Sequence, residues 1–233
     1  MSRIVKRVLC VLTFGASLIA CTKSDIEYVN NSSNKRLRKI DDSTLYYDNQ
    51  NRLSSVYRTD GVDYTYLYEQ NNIFIKVDNE VLYECRLNDG LIVEIYYEGY
   101  REERYSYDDK RQLIQRIDRN GIKHNYEWYN GNLVKEYCEY YTRTYEYTDI
   151  PSSLGISYFD DILLDICNDV WAIPLLANSG EYFGVHPQYL MSNYDGYQIS
   201  WSFHDNGYVS AVSSALEDDV HWYLKWEKLA ISF

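Results

Sequence analysis

Apolar and polar residues alternate with a period of two through much of this chain, and turn residues cut the alternation at steady intervals. Val62, Tyr64, Tyr66 and Tyr68 share one parity, with Asp63, Thr65 and Glu69 opposite. Arg101, Glu103, Tyr105 and Tyr107 alternate with Glu102, Arg104 and Ser106, and Ile122, His124, Tyr126 and Trp128 with Lys123, Asn125 and Glu127. Arg143, Tyr145 and Tyr147 repeat the pattern against Thr144 and Glu146. Such alternation marks strands with one packed and one wet face. The anchors Tyr47, Tyr68, Leu87, Tyr107, Trp128 and Tyr147 stand 21, 19, 20, 21 and 19 residues apart, so a single hairpin unit is being repeated. Asp60-Gly61, Asp78-Asn79, Glu98-Gly99 and Asn120-Gly121 supply positive-φ residues for tight type I′ turns. The links at 48–52, 69–72, 88–90, 108–112 and 130–132 read as longer and polar. The prediction is a mainly β domain: one curved antiparallel up-and-down meander with about ten strands over 45–147. A sheet that wide curls, so an open or partly closed barrel is expected.

After Tyr147 the rhythm breaks at Ile150-Pro151-Ser152-Ser153. Phe159, Ile162, Leu163, Ile166, Val170 and Ile173 then fall at three- and four-residue spacing. That predicts one helix, begun by Asp160 or Asp161 and interrupted by Pro174, packing on the aromatic face of the sheet. Residues 148–195 form the helical insertion and linker, and 196–233 the closing strands. These are a hairpin of Tyr197–Phe203 with Tyr208–Val212 and a last strand near Trp222–Trp226 that completes the sheet. Residues 22–44 read as a flexible tether, because 30–34 lack apolar periodicity and Lys35-Arg36-Leu37-Arg38-Lys39 reads as a solvated basic cluster. The single β domain is then 45–233.

Residues 1–21 stand apart. Arg3, Lys6 and Arg7 precede an apolar run from Val8 to Ile19 that is too short to span a bilayer. It ends in Leu18-Ile19-Ala20-Cys21, which resembles the lipobox of bacterial lipoproteins. That resemblance implies cleavage before Cys21 and lipidation of its thiol, so the membrane is the first expected partner. Thr22 in place of Asp implies the outer membrane, on its periplasmic face or at the cell surface. Removing the leader takes the formal net charge from −12 to −15. A chain so acidic is a poor partner for nucleic acid or anionic lipid, since their phosphates demand a basic patch. Cys85, Cys138 and Cys167 remain, in no ligand spacing, so neither a disulfide framework nor a zinc site is expected.

No pattern of catalytic residues emerges. His124, His186, His204 and His221 form no ligand pair, and nucleophile-elbow, phosphate-loop and dinucleotide motifs are lacking. With 35 acidic residues, any carboxylate pair can be picked at will, so none argues for a glycosidase. The expectation is a non-catalytic protein without cofactor or metal. The functional hint is 27 tyrosines. Tyr offers a broad, stiff contact face with a hydroxyl that can stay wet, although cross-strand aromatic pairs also stabilise a meander by themselves. Candidate ligand-contact aromatics are Tyr64, Tyr66, Tyr105, Tyr126, Trp128 and Tyr145. The ligand would be a glycan or a peptide, the alternative being a structural or assembly role docked on an outer-membrane protein.

Tyr47-Asp48-Asn49-Gln50-Asn51-Arg52-Leu53 and Tyr107-Asp108-Asp109-Lys110-Arg111-Gln112-Leu113 resemble the Tyr-Asp (YD/RHS-like) repeats of bacterial surface and toxin-shell proteins. Those repeats place Gly where Asn51 and Arg111 stand. The lipobox, the Tyr-rich meander, the helical insertion, Leu175–Gly180 to Pro187–Leu190 and Phe203–Val209 together resemble an uncharacterised family of Bacteroidetes lipoproteins. That likeness implies a porin-like antiparallel β fold and a lipid-anchored address. It implies no catalytic residues.

Overall fold

A computed structural model describes residues 35–59, 61–156, 172–214 and 220–228. The leader, Cys21, most of the tether, Cys167 and most of the expected helix lie outside these residues. The described chain forms sixteen strands: β1 (Lys35–Ile40), β2 (Ser43–Tyr47), β3 (Leu53–Tyr57), β4 (Tyr64–Glu69), β5 (Asn72–Val77), β6 (Glu80–Asn88), β7 (Leu91–Tyr97) and β8 (Tyr100–Tyr107). They continue with β9 (Leu113–Ile117), β10 (Lys123–Tyr129), β11 (Asn132–Tyr137), β12 (Thr142–Pro151), β13 (Tyr189–Tyr194), β14 (Tyr197–Phe203), β15 (Val209–Ser214) and β16 (Val220–Lys228). Each pairs antiparallel with its sequence neighbours, and β16 pairs with β1, closing one up-and-down barrel. Odd strands end at one rim, here the odd rim. Even strands end at the other, the even rim, where the chain also enters β1.

The repeat has a physical basis at the even rim. Register shifts fall beside the even-strand anchors, between Tyr46 and Tyr47, Ser106 and Tyr107, Glu127 and Trp128, and Glu146 and Tyr147. Ladders on the other flank of the odd strands stop short: β3–β4 pairs only Ser55 with Thr65 and Val56 with Tyr64, and β9–β10 ends at Gln115. The carbonyls at the starts of the odd strands need another donor. The aromatic anchors supply it. Tyr68 Oη donates to the Leu53 carbonyl at 2.7 Å, Tyr107 to Ile92 at 2.7 Å and Tyr147 to Leu133 at 2.6 Å. Trp128 donates Nε1–H to Leu113 at 2.8 Å, and Tyr47, Trp201 and Trp226 do likewise to Leu37, Met191 and Val209. Only Tyr and Trp combine an apolar body for the core with a donor at the tip. In β6 the anchor is Leu87, whose backbone N–H instead donates to Asn71 O at 2.7 Å.

Turn chemistry follows suit. Asp48 Oδ1 accepts from the N–H groups of Gln50 and Arg52, and Asp108 Oδ1 from those of Lys110 and Gln112. Asn51 and Arg111 take φ of 65° and 63°, the left-handed conformation that a Gly would adopt most cheaply. Five expectations about turns are corrected. Gln70-Asn71, Asp89-Gly90 and Asn130-Gly131 are tight two-residue links, the last two at positive φ throughout, whereas Gly61 lies in the longer link from Tyr57 to Tyr64 and Asn120-Gly121 in a longer turn held by Asp118 Oδ1.

The eleven strands β2–β12 match the meander of about ten expected over 45–147, and with β1 and β13–β16 they close the barrel fully. Other expectations change. Residues 35–44, read as tether, supply β1 and the start of β2: Leu37 and Ile40 point inward at 5% and 4% exposure while the basic residues between them stay at the surface. Within the expected linker, β13 is a strand of the barrel, and β12 runs past Tyr147 to Pro151. The helix α1 (Ala172–Ser179) contains Pro174 near its start instead of ending there, because a first-turn proline forfeits no helix hydrogen bond. Ala172 to Ala177 are all buried, and Tyr66 donates to the Ala172 carbonyl at 2.9 Å. A helix apolar all round is a core element, and α1 lies in the barrel's interior.

The segment after α1 straps the even rim. Ile92 N–H bonds Tyr182 O at 2.8 Å, Val185 N–H bonds Arg111 O at 3.0 Å, and Gln188 N–H bonds Gly131 O at 3.1 Å. Phe183, 1% exposed, meets Tyr105 edge-on with ring centres 5.2 Å apart. Gly184 has φ +87°, and a Cβ there would collide with the Arg111 carbonyl. Outside, the wall is charged: Arg86 bridges Glu84 at 2.7 Å, Glu94 lies within 3.6 Å of Arg86 and Arg101, and Lys135 bridges Glu127 at 3.0 Å. A membrane-spanning barrel turns an apolar band outward, and a Lys or Arg on that face costs about 2–4 kcal/mol at the bilayer centre. This wall is built for water.

Candidate functional site

The six aromatics expected to contact a ligand all point into the barrel. Tyr64, Tyr66, Tyr105, Tyr126 and Tyr145 are 1–5% exposed, and Trp128 packs against the same core. They are core and network residues, and the expectation of an open platform built from them is corrected. The reason is closure: in a sealed barrel the aromatic parity faces the lumen, and α1 and Phe183 occupy it.

The exposed tyrosines are a different set of eight among the described residues: Tyr46, Tyr129 and Tyr189 lie toward the even rim at 38%, 68% and 36% exposure, and five lie at the odd rim. Tyr57 ends β3, Tyr100 begins β8, Tyr197 begins β14, Tyr140 sits in the β11–β12 loop, and Tyr223 lies beside the β1–β2 turn, where its N–H bonds Asp41 Oδ1 at 2.7 Å. Their exposures are 50%, 77%, 43%, 72% and 64% in that order. All five belong to the odd rim, opposite the strap. The signal in the sequence was weak but present: Tyr100 and Tyr197 directly follow Glu98-Gly99 and Asp195-Gly196, so they begin strands at a turn instead of lying within the aromatic rows.

Beneath the odd rim lies a buried ionic cluster on the inner faces of β8–β12. Cross-strand pairing sets Tyr105 beside Arg116 and Arg116 beside His124, and Tyr126 beside Glu136. Arg116 Nη1 lies 3.2 Å from Glu103 Oε1, with side chains 3% and 6% exposed, and Arg116 Nε donates to Tyr126 Oη at 3.2 Å. Glu136 accepts from Tyr141 Oη at 2.7 Å and Tyr145 Oη at 2.8 Å. His124 Nδ1 is 2.9 Å from Tyr141 Oη and 3.4 Å from Glu136, while its Nε2 is 3.9 Å from Asp118. Burial pushes Glu136 upward, but hydrogen bonds from His124, Tyr141 and Tyr145 more than offset this, so its carboxyl sits below the ordinary value. For Glu103 burial dominates over the pull of Arg116 and raises the carboxyl to about 8. Burial thus favours the neutral form of Glu103, while Glu136 is the carboxylate held anionic, by its hydrogen bonds first and by the through-space charge of Arg116. The sequence placed Glu103 in the row of Tyr105 and Tyr107, yet gave no sign that Arg116 and Glu136 would converge on it.

This cluster ties five consecutive strands together, and within it Glu103 Oε2, Tyr105 Oη and His124 Nε2 are buried without a hydrogen-bond partner among the described residues. Among the described residues no group of three or more His, Cys, Asp or Glu is arranged to hold a metal ion.

No family model matches the sequence, and no curated protein matches it. Among solved structures, the chain is similar to a porin-like protein from Bacteroides uniformis, with TM-score 0.56 and 14% identity over 80% of this chain and 89% of that one. It also matches the TcdB2–TccC3–Cdc42 structure, with TM-score 0.30 and 13% identity, over 77% of this chain and 9% of that one. TcdB2–TccC3 without its hypervariable C-terminal region gives TM-score 0.30 and 17% identity, over 78% and 10%. What the first of these likenesses carries is the fold: a porin-like antiparallel barrel.

Proposed function

We propose that this chain is a lipid-anchored, non-catalytic binding module that holds a glycan or a peptide on the odd rim of its barrel. The observation that carries the reading is the set of five exposed tyrosines on that rim, Tyr57, Tyr100, Tyr140, Tyr197 and Tyr223. Exposed aromatic rings at turn tips sacrifice apolar contact unless a partner covers them, and Tyr suits stacking with hydrogen bonding at its tip. The packed interior and the charged outer wall support a role performed at the surface. The anchor would be Cys21, and the address the outer membrane, on its periplasmic face or at the cell surface. Positive φ at Asn51 and Arg111 supports the kinship in pattern with Tyr-Asp repeats, and the porin-like fold supports placement among Bacteroidetes lipoproteins of that shape.

The test is a glycan and peptide array probed with the protein, followed by calorimetry on any hit. Tyr100→Ala with Tyr140→Ala should weaken binding at least about tenfold, because one lost aromatic contact is worth about 1 kcal/mol or more. Unchanged affinity in that variant defeats the rim reading. An array without hits, combined with recovery of an outer-membrane protein from native membranes, would favour the assembly role instead.

A further inference from the structure

The seam that closes the barrel concentrates positive charge in an acidic protein. β1 carries Lys35, Arg36, Arg38 and Lys39, and β16 carries Lys225 and Lys228, in a chain of net charge −12. Lys39 and Lys225 are direct cross-strand partners. Their neighbours Ile40 and Leu224 are 4% and 1% exposed, so alternation turns both lysines outward. Like charges set directly opposite destabilise a sheet, and among the described residues neither lysine has an acidic partner, whereas Arg36 and Arg38 share Glu227. Beside them the Arg38 guanidinium lies 4.1 Å from the centre of the Tyr46 ring, which meets Tyr57 edge-on at 5.1 Å.

Thirteen residues separate Cys21 from Lys35. Fully extended, they reach about 45 Å. If Cys21 carries lipid, the leash joins the barrel at the seam and lets it reach the bilayer, while the acidic remainder is repelled by anionic headgroups. Basic side chains near such a surface are attracted by about a fivefold factor each, and Tyr beside Arg or Lys is a favoured composition at headgroup level. We propose that Arg38, Lys39, Tyr46 and Lys225 on the outer face of the seam dock on the anionic headgroups of the membrane that holds the anchor. This inference rests on the lipid-anchor reading above.

The experiment is amine footprinting by mass spectrometry on the full chain, produced in a lipoprotein-processing host and reconstituted into vesicles. Vesicles of phosphatidylcholine are compared with vesicles containing phosphatidylglycerol. Lys39 and Lys225 should label at least about fivefold more slowly on the anionic vesicles, recover in high salt, and leave Lys123 and Lys135 on the opposite wall unchanged. Lys225→Glu should remove the protection of Lys39. Equal labelling on both vesicles, or equal slowing on both, overturns the proposal. Protection by a soluble acidic polysaccharide but not by vesicles also overturns it. The intact mass reports separately whether Cys21 bears lipid, so failure of the anchor is distinguished from failure of the docking.

Discussion

The two buried glutamates should respond in opposite ways to the same substitution. Glu136 is the anion of the cluster, accepting from Tyr141 and Tyr145 and standing 3.4 Å from His124 Nδ1. Glu136→Gln would replace one acceptor oxygen with a donor facing a tyrosine hydroxyl and would remove the anion whose charge acts through space on buried Arg116. Hydrogen bonds to a charged group are worth about 1.5–3 kcal/mol, and an unbalanced buried charge costs about 3–5 kcal/mol. The variant should lose about 3–5 kcal/mol at neutral pH, about a third to a half of a typical domain's stability. Glu103→Gln should be mild there, because Glu103 already holds a proton.

The pH dependence provides the sharper arm. Glu103 has its carboxyl raised from 4.5 to about 8 in the folded protein. Between those values the unfolded chain has released the proton and the folded chain keeps it. The stability contributed is therefore complete below the unfolded value and is lost as pH rises toward the folded one. The slope is about 1.4 kcal/mol per pH unit. Glu103→Gln has no proton to lose, so urea unfolding from about pH 5 to about pH 8 should show the wild type losing about 3 kcal/mol relative to the variant. A difference that stays flat across this range would refute the assignment. So would equal damage by both substitutions near pH 6.

Other outcomes follow from the same geometry. Tyr107→Phe and Tyr147→Phe each remove a hydroxyl that satisfies an odd-strand carbonyl, and each should cost about 1–2 kcal/mol in urea unfolding without changing the m-value. Gly184→Ala forces a side chain against the Arg111 carbonyl at φ +87°; it should destabilise by several kcal/mol and open the strap to proteolysis between Glu181 and Gln188. Tyr100→Ala and Tyr140→Ala, by contrast, should leave the unfolding midpoint within about 0.5 kcal/mol of wild type, so their effect on binding reads contact alone.

How much of this was legible beforehand depends on whether a feature is local. Strand starts at Leu53, Leu91 and Leu113, and the inward parity of Tyr64, Tyr66, Tyr105 and Tyr126, are set by period-two alternation and by turn residues within a few positions. A reader of the chain alone obtains the meander, its repeat and its inner face. The role of the anchors was half visible: Tyr or Trp at a 20-residue spacing announced a unit, but the carbonyl each one serves lies on a neighbouring strand.

Tertiary structure decided the rest, for physical reasons. Lys35–Ile40 looks like a solvated basic run until β16 arrives from the far end of the chain to pair with it, after which its two apolar residues become core. Closure then inverted the meaning of the aromatic rows, converting a would-be contact platform into a sealed interior filled by α1 and Phe183. Arg116, Glu103 and Glu136 are ordinary charges in the sequence. Only the register of β8 to β11 gathers them into one buried cluster where water cannot compensate them, and that enclosure sets which carboxylate carries the charge.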